Sequence, residues 1–209
     1  MSDPYESAYY EELRPASGVA GMVDAARDRL VAGQVRTLAG PGRLLDVGCG
    51  QGDLLARFDD RWDLHGLELS EEGLRRARAV MPHATLAAAD IRHGLPFEGH
   101  FTAITMVNVL EHLDRPADAL GHLAAAQRPG GVLVVHLPTI GTPGQARRYA
   151  GSYDSDPTHV YRPSGWEVLG LLATAGYDVR RYGWAPFRPF ALWSRLEWQC
   201  AFLAVAVRR

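Results

Sequence analysis

The stretch LLDVGCGQG, residues 44–52, constrains the fold of this chain more than any other segment. An apolar run ends in Asp46, and glycine then occupies every second position at Gly48, Gly50 and Gly52. Glycine adopts backbone torsions that are closed to other residues, and it lets the main chain approach a ligand without a Cβ in the way. The stretch therefore predicts a buried strand followed by a ligand-facing loop, although a tight strand-to-helix turn alone would also explain the glycines.

Short apolar runs alternate with helix-like stretches along most of the chain, which is typical of a parallel sheet with crossover helices. Strands are predicted at residues 43–47, 63–69, 84–90, 101–108, 131–138, 177–184 and 198–207. Helices are predicted within residues 18–40 and near 53–59, 71–80 and 116–127. A further helix opens at Ser164, which forms a capping box with Glu167, and Gly176 ends it. The pattern predicts an α/β fold with about seven strands.

The composition indicates a single globular domain. Of 209 residues, 47% are hydrophobic and 22% are charged, which suits one well-buried core in a chain too short for two. The net charge of −2 offers no general attraction to nucleic acid or to an anionic membrane, so neither is expected as a partner. The two cysteines, Cys49 and Cys200, lie far apart, which predicts no disulfide framework and a reducing, cytoplasmic location.

Four segments of this domain are predicted to have different roles. Residues 1–40 form an N-terminal cap and leading helix, 41–138 the ligand-binding core, 139–163 a substrate-facing loop, and 164–209 the last helix and strands. Residues 139–163 show neither helical nor strand periodicity, and an irregular connection of that length is commonly a binding loop. The loop follows a strand at the carboxyl edge of the sheet, where open α/β folds bind their ligands.

Two aromatic clusters flank this core. The first is interpreted either as a cover over the site or as a frayed terminus, and the second either as a pocket lining or as core packing. Their members are Tyr5, Tyr9 and Tyr10 in the first cluster, and Trp184, Phe187, Phe190, Trp193 and Trp198 in the second.

Two ligand classes compete for the glycine loop. A dinucleotide requires the spacing GxGxxG, whereas this chain has GxGxG. Asp46 and Asp53 bracket the loop with negative charge, which is unfavourable beside a diphosphate but suits an ammonium group or a cationic sulfur. Asp53 is also placed to cap a helix whose N-terminus would point toward the ligand. An NAD-dependent oxidoreductase is therefore an alternative that the spacing and the charge disfavour.

Polar residues mark the ends of the next three predicted strands. Glu68 ends the second strand and is placed to accept both ribose hydroxyls of an adenosine. Asp90 ends the third, where it would accept from the adenine amine while Ile91 packs on the ring, although Asp90 would equally cap a turn. Asn108 ends the fourth. The carboxyl ends of parallel strands share one edge of the sheet, so these residues predict a single site.

The segments LLDVGCGQG, LHGLELS, AADIRHGLPF, FTAITMVNVLEHL and RPGGVLVVHLP together resemble the class I S-adenosylmethionine-dependent methyltransferases over residues 40–140. The resemblance implies a Rossmann-like, doubly wound, mostly parallel seven-stranded sheet with an antiparallel last strand and helices on both faces. It also implies S-adenosyl-L-methionine as the cofactor and S-adenosyl-L-homocysteine as the product.

The same resemblance assigns a role to individual residues. Residues 46–52 would wrap the methionine part of the cofactor, Glu68 with Leu69 would hold the ribose, and Asp90 with Ile91 would frame the adenine. Asn108 and Leu110 would lie under the sulfonium end. The implied cofactor residues are Asp46, Gly48, Cys49, Gly50, Gly52, Glu68, Leu69, Asp90, Ile91, Asn108 and Leu110.

Two histidines are candidate general bases for such a reaction. Methyl transfer from a sulfonium depends mainly on holding the acceptor in line behind the methyl carbon, so a base is optional. His112 follows the fourth strand, where a structural or cofactor-contacting role would also suit it. His159 lies on the long loop, where Asp154 or Asp156 would orient its ring, although a loop-stabilising role explains it as well. The histidines lack metal-ligand spacing, so no metal is predicted.

Several acceptor classes are excluded by missing residues. The chain contains no lysine and no [DN]PPY sequence, and Cys49 lies inside the glycine turn rather than on a catalytic loop. These absences disfavour ribose, exocyclic-amine and pyrimidine methylation of nucleic acids. A small-molecule acceptor is therefore predicted, with O- or N-methylation favoured. A protein that binds the cofactor without turnover is a second alternative, because positioning alone can carry the catalysis and leaves no obligatory catalytic residue to look for.

Overall fold

The computed structural model describes residues 19–184 and 199–209, which are built around one seven-stranded sheet. The strand order is β3-β2-β1-β4-β5-β7-β6. The strands are β1 Arg43–Val47, β2 Asp63–Glu68, β3 Thr85–Ala88, β4 Phe101–Val107, β5 Gln127–Pro138, β6 Tyr177–Trp184 and β7 Ala201–Arg208. β1 to β5 run parallel, and β7 runs antiparallel to both β5 and β6. The predicted mostly parallel sheet with an antiparallel last strand is confirmed.

Five α-helices connect or flank these strands within the described residues. They are α1 Val19–Leu38, α2 Glu71–Val80, α3 Pro116–Ala125, α4 Pro143–Ser152 and α5 Gly165–Thr174. The predicted capping box of α5 is present, because the Ser164 hydroxyl accepts from Glu167 N and the Glu167 carboxylate accepts from Ser164 N. No helix in the described ranges has the length and apolar character needed to cross a bilayer.

Alternate residues along the central strands pack against different helices. Leu45 on β1 joins the core cluster that contains Leu120 of α3. Leu44 joins the opposite cluster, with Val31 of α1 and Leu74 of α2. Residues 44–47 of β1 are all buried, as expected for a strand that is covered on both sides. The predicted placement of helices on both faces is therefore confirmed.

The direction in which the strand order grows reverses at β1. β2 and β3 extend the sheet on one side of β1, and β4 and β5 extend it on the other. Val47, the last residue of β1, pairs with Leu67 of β2 and Met106 of β4. Connections leave such a reversal toward opposite faces, so a crevice opens at the carboxyl ends of these strands. The glycine loop follows Val47 directly and enters this crevice.

The helix predicted at residues 53–59 is wrong. The structure has only a 3-10 turn there, Leu55–Arg57, and Asp53 caps no α-helix. The Asp53 carboxylate instead accepts a hydrogen bond from Gln51 Nε2 at 2.8 Å. Phe58 is extended and packs edge-on against Trp62, with ring centroids 5.3 Å apart. The few residues between the loop and β2 do not offset the unfavourable nucleation of a longer helix.

The irregular loop predicted at residues 139–163 is wrong over part of its length, because it contains α4. Thr142 caps this helix by accepting from Gln145 N, and Pro143 occupies the first turn, where its missing N–H is not needed. Apolar periodicity is missing because the buried face of α4 is narrow: Gln145 and Tyr149 are its buried residues. The cap and the proline were the sequence signals that predict this helix.

Most residues of the two aromatic clusters lie outside the described residues, namely Tyr5, Tyr9, Tyr10, Phe187, Phe190, Trp193 and Trp198. Trp184 is described and buried at the end of β6. Its Nε1 donates to Thr139 Oγ1 at 3.2 Å, and its ring packs on Phe202 with centroids 5.1 Å apart. Trp184 is therefore a core residue.

Two glycines of α5 give opposite predictions for the same substitution. A Cβ on Gly165 would lie 2.6 Å from Trp184 Cζ2 and 2.8 Å from Phe202 Cε2, whereas a Cβ on the exposed Gly170 meets nothing within 4 Å. Gly165→Ala should lower the free energy of unfolding by about 1–3 kcal/mol through overpacking. Gly170→Ala should raise it by about 0.5–1 kcal/mol through helix propensity. Urea denaturation measures both, and equal effects would contradict the packing described here.

Candidate active site

A cavity of about 810 Å³ opens at the carboxyl edge of the sheet, beside the reversal between β1 and β4. Its walls come from α1, from the residues that follow β1, β2, β3 and β4, and from the loop after α4. The volume is in the range of small-molecule and cofactor sites. The predicted residues that line it are Gly48, Cys49, Gly50, Glu68, Leu69, Asp90, Ile91, Asn108 and His112. Asp46, Gly52, Leu110 and His159 are not part of this lining.

The first two glycines of the loop adopt backbone conformations that favour glycine over other residues. Gly48 and Gly50 have backbone φ angles of 72° and 52°, and a Cβ on Gly48 would clash with Val109 Cγ2. The N–H groups of Gly48 and Cys49 both donate to the Leu67 carbonyl, at 2.7 and 3.0 Å. Burial raises the pKa of the Cys49 thiol, so the side chain stays protonated and is not a nucleophile at neutral pH.

Glu68 fastens the glycine loop to the end of β2. Its Oε2 accepts from Gly50 N at 2.9 Å, and its Oε1 accepts from Leu69 N at 2.8 Å and Ser70 N at 2.9 Å. A carboxylate has about four acceptor positions, so these three bonds leave about one for a ligand. If Glu68 accepts both ribose hydroxyls, as predicted, then one carboxylate oxygen must accept from a hydroxyl and a backbone N–H together, or one of the three backbone hydrogen bonds must break.

Two predicted residues support the loop from behind. Asp46 is almost fully buried on β1, where its Oδ1 accepts from the Thr105 hydroxyl at 2.7 Å. Burial raises the pKa of the Asp46 carboxyl to about 7. Gly52 has a φ of 90°, and a Cβ there would lie 3.5 Å from Ala77 Cβ on α2. Gly52 thus permits close packing of the loop on α2 and does not line the cavity.

The ends of β2 and β3 place an acid and two apolar side chains around one part of the cavity. Asp90 accepts from Arg92 N at 2.9 Å and forms an ion pair with Arg92 Nη2 at 2.6 Å. Partial burial acts to raise the pKa of Asp90, but the hydrogen bonds from Arg92 outweigh it and hold the pKa below its usual range. Ile91 is buried and Leu69 is largely exposed on the cavity wall. The turn-capping interpretation of Asp90 is confirmed by the N-cap geometry.

Asn108 occupies an unusual backbone conformation at the end of β4. Its φ of 52° is the one positive value among the described non-glycine residues. Its N–H donates to the His136 carbonyl at 2.8 Å, and its Oδ1 lies 3.0 Å from His136 Nδ1. Burial lowers the pKa of His136 to about 3, so a neutral ring donates to the amide oxygen. His136 therefore positions Asn108, and a histidine inside the apolar run VLVVHLP was its sequence signal.

Leu110 does not reach the cavity, contrary to its predicted place near the sulfonium. It is fully buried in the core cluster on the α3 side of the sheet. The reason is the 3-10 turn Leu110–His112, which distributes its three side chains around the axis. Leu110 faces the core, while His112 faces the cavity.

His112 is held by a chain of two hydrogen bonds. Its Nδ1 lies 2.8 Å from Thr158 Oγ1, and the Thr158 hydroxyl donates to Asp156 Oδ1 at 2.5 Å. Because the hydroxyl has one proton, the bond to Thr158 is donated by Nδ1, and His112 Nε2 carries the lone pair. Burial and the neighbouring His159 lower the pKa of His112.

His159 is buried next to His112, with ring centroids 4.7 Å apart. Its Nδ1 lies 2.9 Å from Tyr149 Oη, and its Nε2 lies 3.7 Å from Asp156 Oδ2. Burial lowers the pKa of His159. Asp154, the other carboxylate predicted to orient this ring, instead pairs with Arg162 at 2.8 Å. The structure thus brings the two candidate histidines together and places His112 at the cavity.

Sequence reasoning missed two charged residues of this region. Arg27 lines the cavity from α1 and pairs with Asp24 at 2.8 Å and Asp28 at 2.9 Å. Glu111 has an exposed fraction of 1%, and its Oε2 has no hydrogen-bond partner in the described residues. Burial raises the pKa of Glu111 to about 8. Neither residue belongs to a spacing pattern, since Arg27 is one of several arginines on α1 and Glu111 lies in a short turn.

Comparison with known proteins assigns the family. Residues 23–182 of this chain match the methyltransferase domain family. The chain belongs to the class I S-adenosylmethionine-dependent methyltransferases. This result confirms the predicted enzyme class and the predicted cofactor.

Individual relatives cover this methyltransferase to different extents. It is 31% identical over 179 residues to dTDP-3-amino-3,4,6-trideoxy-alpha-D-glucopyranose N,N-dimethyltransferase of Streptomyces venezuelae, covering 79% of this chain and 75% of that enzyme. It is 33% identical over 104 residues to trans-aconitate 2-methyltransferase of Pseudomonas paraeruginosa, covering 48% of this chain and only 38% of that enzyme. An S-adenosylmethionine-dependent methyltransferase from Clostridium acetobutylicum superposes with a TM-score of 0.71 over 96% of both chains at 13% identity, which shows a shared fold.

The buried Asp46 carboxyl predicts a pH-dependent stability for this methyltransferase. Its pKa rises from 3.8 to about 7 on folding, so the unfolded chain releases the proton first as pH rises. The wild type should therefore lose on the order of 3 kcal/mol of stability between pH 4 and pH 8 through this group. Asp46→Asn keeps an acceptor for Thr105 and should lack this loss, whereas the exposed control Asp60→Asn should retain it. Urea denaturation across this pH range measures the effect, and parallel profiles for wild type and Asp46→Asn would contradict it.

Proposed function

We propose that this methyltransferase transfers the methyl group of S-adenosylmethionine to an oxygen or nitrogen atom of a small molecule held in the 810 Å³ cavity. One observation carries the placement of the cofactor. The N–H groups of Gly48 and Cys49 are used by the Leu67 carbonyl, and that of Gly50 is used by Glu68. Loops that bind phosphate direct such N–H groups at the ligand. This loop instead presents a carboxylate, which suits a ligand with a positive charge and no phosphate.

The cofactor fits the groups that line this part of the cavity. Glu68 and Asp90 end neighbouring strands and offer acceptors to hydroxyl and amine groups, while Ile91 and Leu69 offer apolar contact to a ring. Arg27 offers a guanidinium to a carboxylate. When bound, S-adenosylmethionine supplies a methyl carbon that an acceptor lone pair takes in line, as the carbon–sulfur bond breaks and its electron pair returns to sulfur.

The acceptor is assigned to the part of the cavity lined by His112, Thr158 and Val160. His112 Nε2 carries a lone pair because the bond to Thr158 fixes the proton on Nδ1. His112 is therefore placed to take the proton that an O–H or N–H acceptor loses, and His159 supports its ring from the side. The proposal thus assigns the base to His112 and a positioning role to His159.

The relatives support a small-molecule acceptor and leave its reacting atom open. One is named as an N,N-dimethyltransferase of a dTDP-linked amino sugar, and the other as a methyltransferase of trans-aconitate. The NAD-dependent alternative loses support because the GxGxG loop commits its N–H groups to protein acceptors. Binding of the cofactor without turnover is the remaining alternative, and an acceptor screen distinguishes it from catalysis.

Glu68→Gln tests the cofactor site. In the wild type the Glu68 carboxylate accepts from the backbone N–H groups of Gly50 and Leu69. In the variant the amide NH₂ group would face one of these N–H donors, so the loop should shift and the contact between residue 68 and the ribose should be lost. The affinity for S-adenosylhomocysteine should fall by about 2–4 kcal/mol, as expected for charge-assisted hydrogen bonds. The exposed control Glu98→Gln should bind like the wild type. Calorimetric titration measures both, and an unchanged affinity in Glu68→Gln would remove Glu68 from the cofactor site.

His112→Ala tests the acceptor side. Acceptors with hydroxyl, carboxylate and amine groups are screened by release of S-adenosylhomocysteine. With an acceptor found, His112→Ala should lower kcat by about a hundredfold or more, while affinity for S-adenosylhomocysteine stays near the wild-type value. The exposed control His83→Ala should keep kcat. A loss of less than about fivefold would return His112 to a structural role, and cofactor binding with no turnover on any acceptor would favour the non-catalytic alternative.

A further inference from the structure

Three potential metal ligands meet beside the cavity. Glu111 and His112 come from the 3-10 turn after β4, and His159 comes from the loop after α4. One donor atom from each of the three residues lies within 4.8 Å of the other two. Glu111 and His159 are buried, while His112 also lines the cavity. The sequence shows no metal-ligand spacing because His159 is distant from Glu111 and His112 along the chain. In the folded chain the loop after α4 brings His159 next to the other two residues.

The carboxyl group of Glu111 lacks the partner that its burial requires, and it becomes a carboxylate ligand by releasing its proton when a cation binds. Its Oε2 is buried and has no hydrogen-bond partner within residues 19–184 and 199–209. A buried polar atom of this kind calls for an explanation, and a bound cation is one of the recognised explanations. The main chain of Glu111 is well fixed, because its carbonyl accepts from Tyr161 N at 2.9 Å. The orphaned oxygen therefore belongs to a side chain whose backbone is fixed beside the two imidazoles.

Both histidines are oriented as metal ligands usually are. A ligating histidine uses one ring nitrogen for the metal and hydrogen bonds through the other. His159 Nδ1 contacts Tyr149 Oη at 2.9 Å, and His112 Nδ1 donates to Thr158 Oγ1 at 2.8 Å. The Thr158 hydroxyl is itself fixed by Asp156. The Nε2 atoms are thus the nitrogens that this arrangement assigns to a metal.

The separation of the donors suits a small cation after a modest closure. Zinc binds nitrogen and oxygen ligands at about 2.0–2.2 Å in a tetrahedron, which sets ligand atoms roughly 3.4 Å apart. The donor atoms lie within 4.8 Å of one another, so binding requires any two of them to approach by at most about 1.4 Å. Two imidazoles and one carboxylate form a donor set that binds first-row divalent cations in preference to magnesium or calcium.

We propose that Glu111, His112 and His159 bind one first-row divalent cation, Zn²⁺ or a close analogue, at the edge of the cavity. Three protein ligands leave an open coordination position, as in catalytic zinc sites. His112 joins the cluster to the cavity wall, so an acceptor in the cavity has access to that position.

This site deepens the proposed function, on which its role in catalysis rests. A cation there selects an acceptor that offers oxygen, such as a hydroxyl or a carboxylate, in preference to an amine that is protonated at neutral pH. The cation lowers the pKa of a hydroxyl that reaches it, and the proton leaves to water. The oxygen lone pair then forms the new bond to the methyl carbon, as the carbon–sulfur bond breaks and its electron pair returns to sulfur. With the cation bound, His112 Nε2 is a ligand, so the cation replaces His112 as the group that frees the acceptor lone pair.

Metal titration of the purified, chelator-treated chain tests the proposal. Zn²⁺ is titrated against a chromophoric chelator, and Co²⁺ is titrated by visible absorption. The wild type should bind about one equivalent of each, and Co²⁺ should give the intense d–d bands of a tetrahedral site. Glu111→Gln and His159→Asn should weaken Zn²⁺ binding by at least tenfold. The exposed controls His83→Ala and His100→Ala should leave the affinity unchanged.

Tyr149→Phe keeps the proposal testable if the ligand variants fail to fold. It removes the hydroxyl beside His159 Nδ1 and leaves the three ligands in place. Loss of such an outer-shell partner typically weakens binding by about 10–100-fold, so the same weakening with a retained Co²⁺ spectrum is expected. Absence of wild-type binding below about 1 mM Zn²⁺, or equal affinity in all variants, would overturn the site and leave a neutral hydrogen-bonded cluster.

Titration of the same samples with S-adenosylhomocysteine separates the two proposals. Binding of S-adenosylhomocysteine without binding of Zn²⁺ overturns the metal site and leaves the proposed function standing. Binding of Zn²⁺ without S-adenosylhomocysteine supports the metal site and overturns the proposed function. Binding of both, with Zn²⁺ affinity dependent on Glu111 and S-adenosylhomocysteine affinity dependent on Glu68, supports both.

Discussion

The cavity depends on the carboxylate of Glu68. This side chain ends β2 and accepts N–H groups from Gly50, Leu69 and Ser70, so the glycine loop and the start of α2 are held to one group. Charge-assisted hydrogen bonds of this kind are stronger than neutral ones. The Gly50 N–H donates to Glu68 and is therefore not directed at a ligand. The group that lines the cavity at this point is the Glu68 carboxylate. The character of the ligand, a cation without phosphate, follows from this direction of hydrogen bonding.

The cavity has two chemically different parts that come from different segments. The ends of β1, β2 and β3 supply glycine backbone, acids and apolar side chains. The turn after β4 and the loop after α4 supply His112 and Thr158, with Asp156 and His159 next to them. The first part lies where the strand order reverses, as in other open α/β sheets. The second part depends on a loop that has no such constraint, so the acceptor that we propose for this part would contact residues outside the parallel core.

The sequence predicts the parts of this structure that repeat a simple rule. Alternating apolar runs predict the parallel strands, and the carboxyl end of each predicts the location of Gly48, Glu68 and Asn108. Local chemistry predicts the capping box at Ser164.

Helix α4 is not predicted by apolar periodicity, because its buried face consists of Gln145 and Tyr149. Leu110 was misplaced because the direction of a side chain in a 3-10 turn depends on packing rather than on spacing. The proximity of Glu111 and His159 is not predictable from spacing, because it depends on the path of the loop after α4 in the folded chain.

The most direct test of the account is a parallel calorimetric titration of the purified chain with S-adenosylhomocysteine and NAD. S-adenosylhomocysteine should bind with a micromolar dissociation constant and NAD should show no measurable binding, because the N–H groups of Gly48, Cys49 and Gly50 are used by Leu67 and Glu68. Binding of NAD without S-adenosylhomocysteine would show that the loop opens its N–H groups to a diphosphate, and it would contradict the central claim.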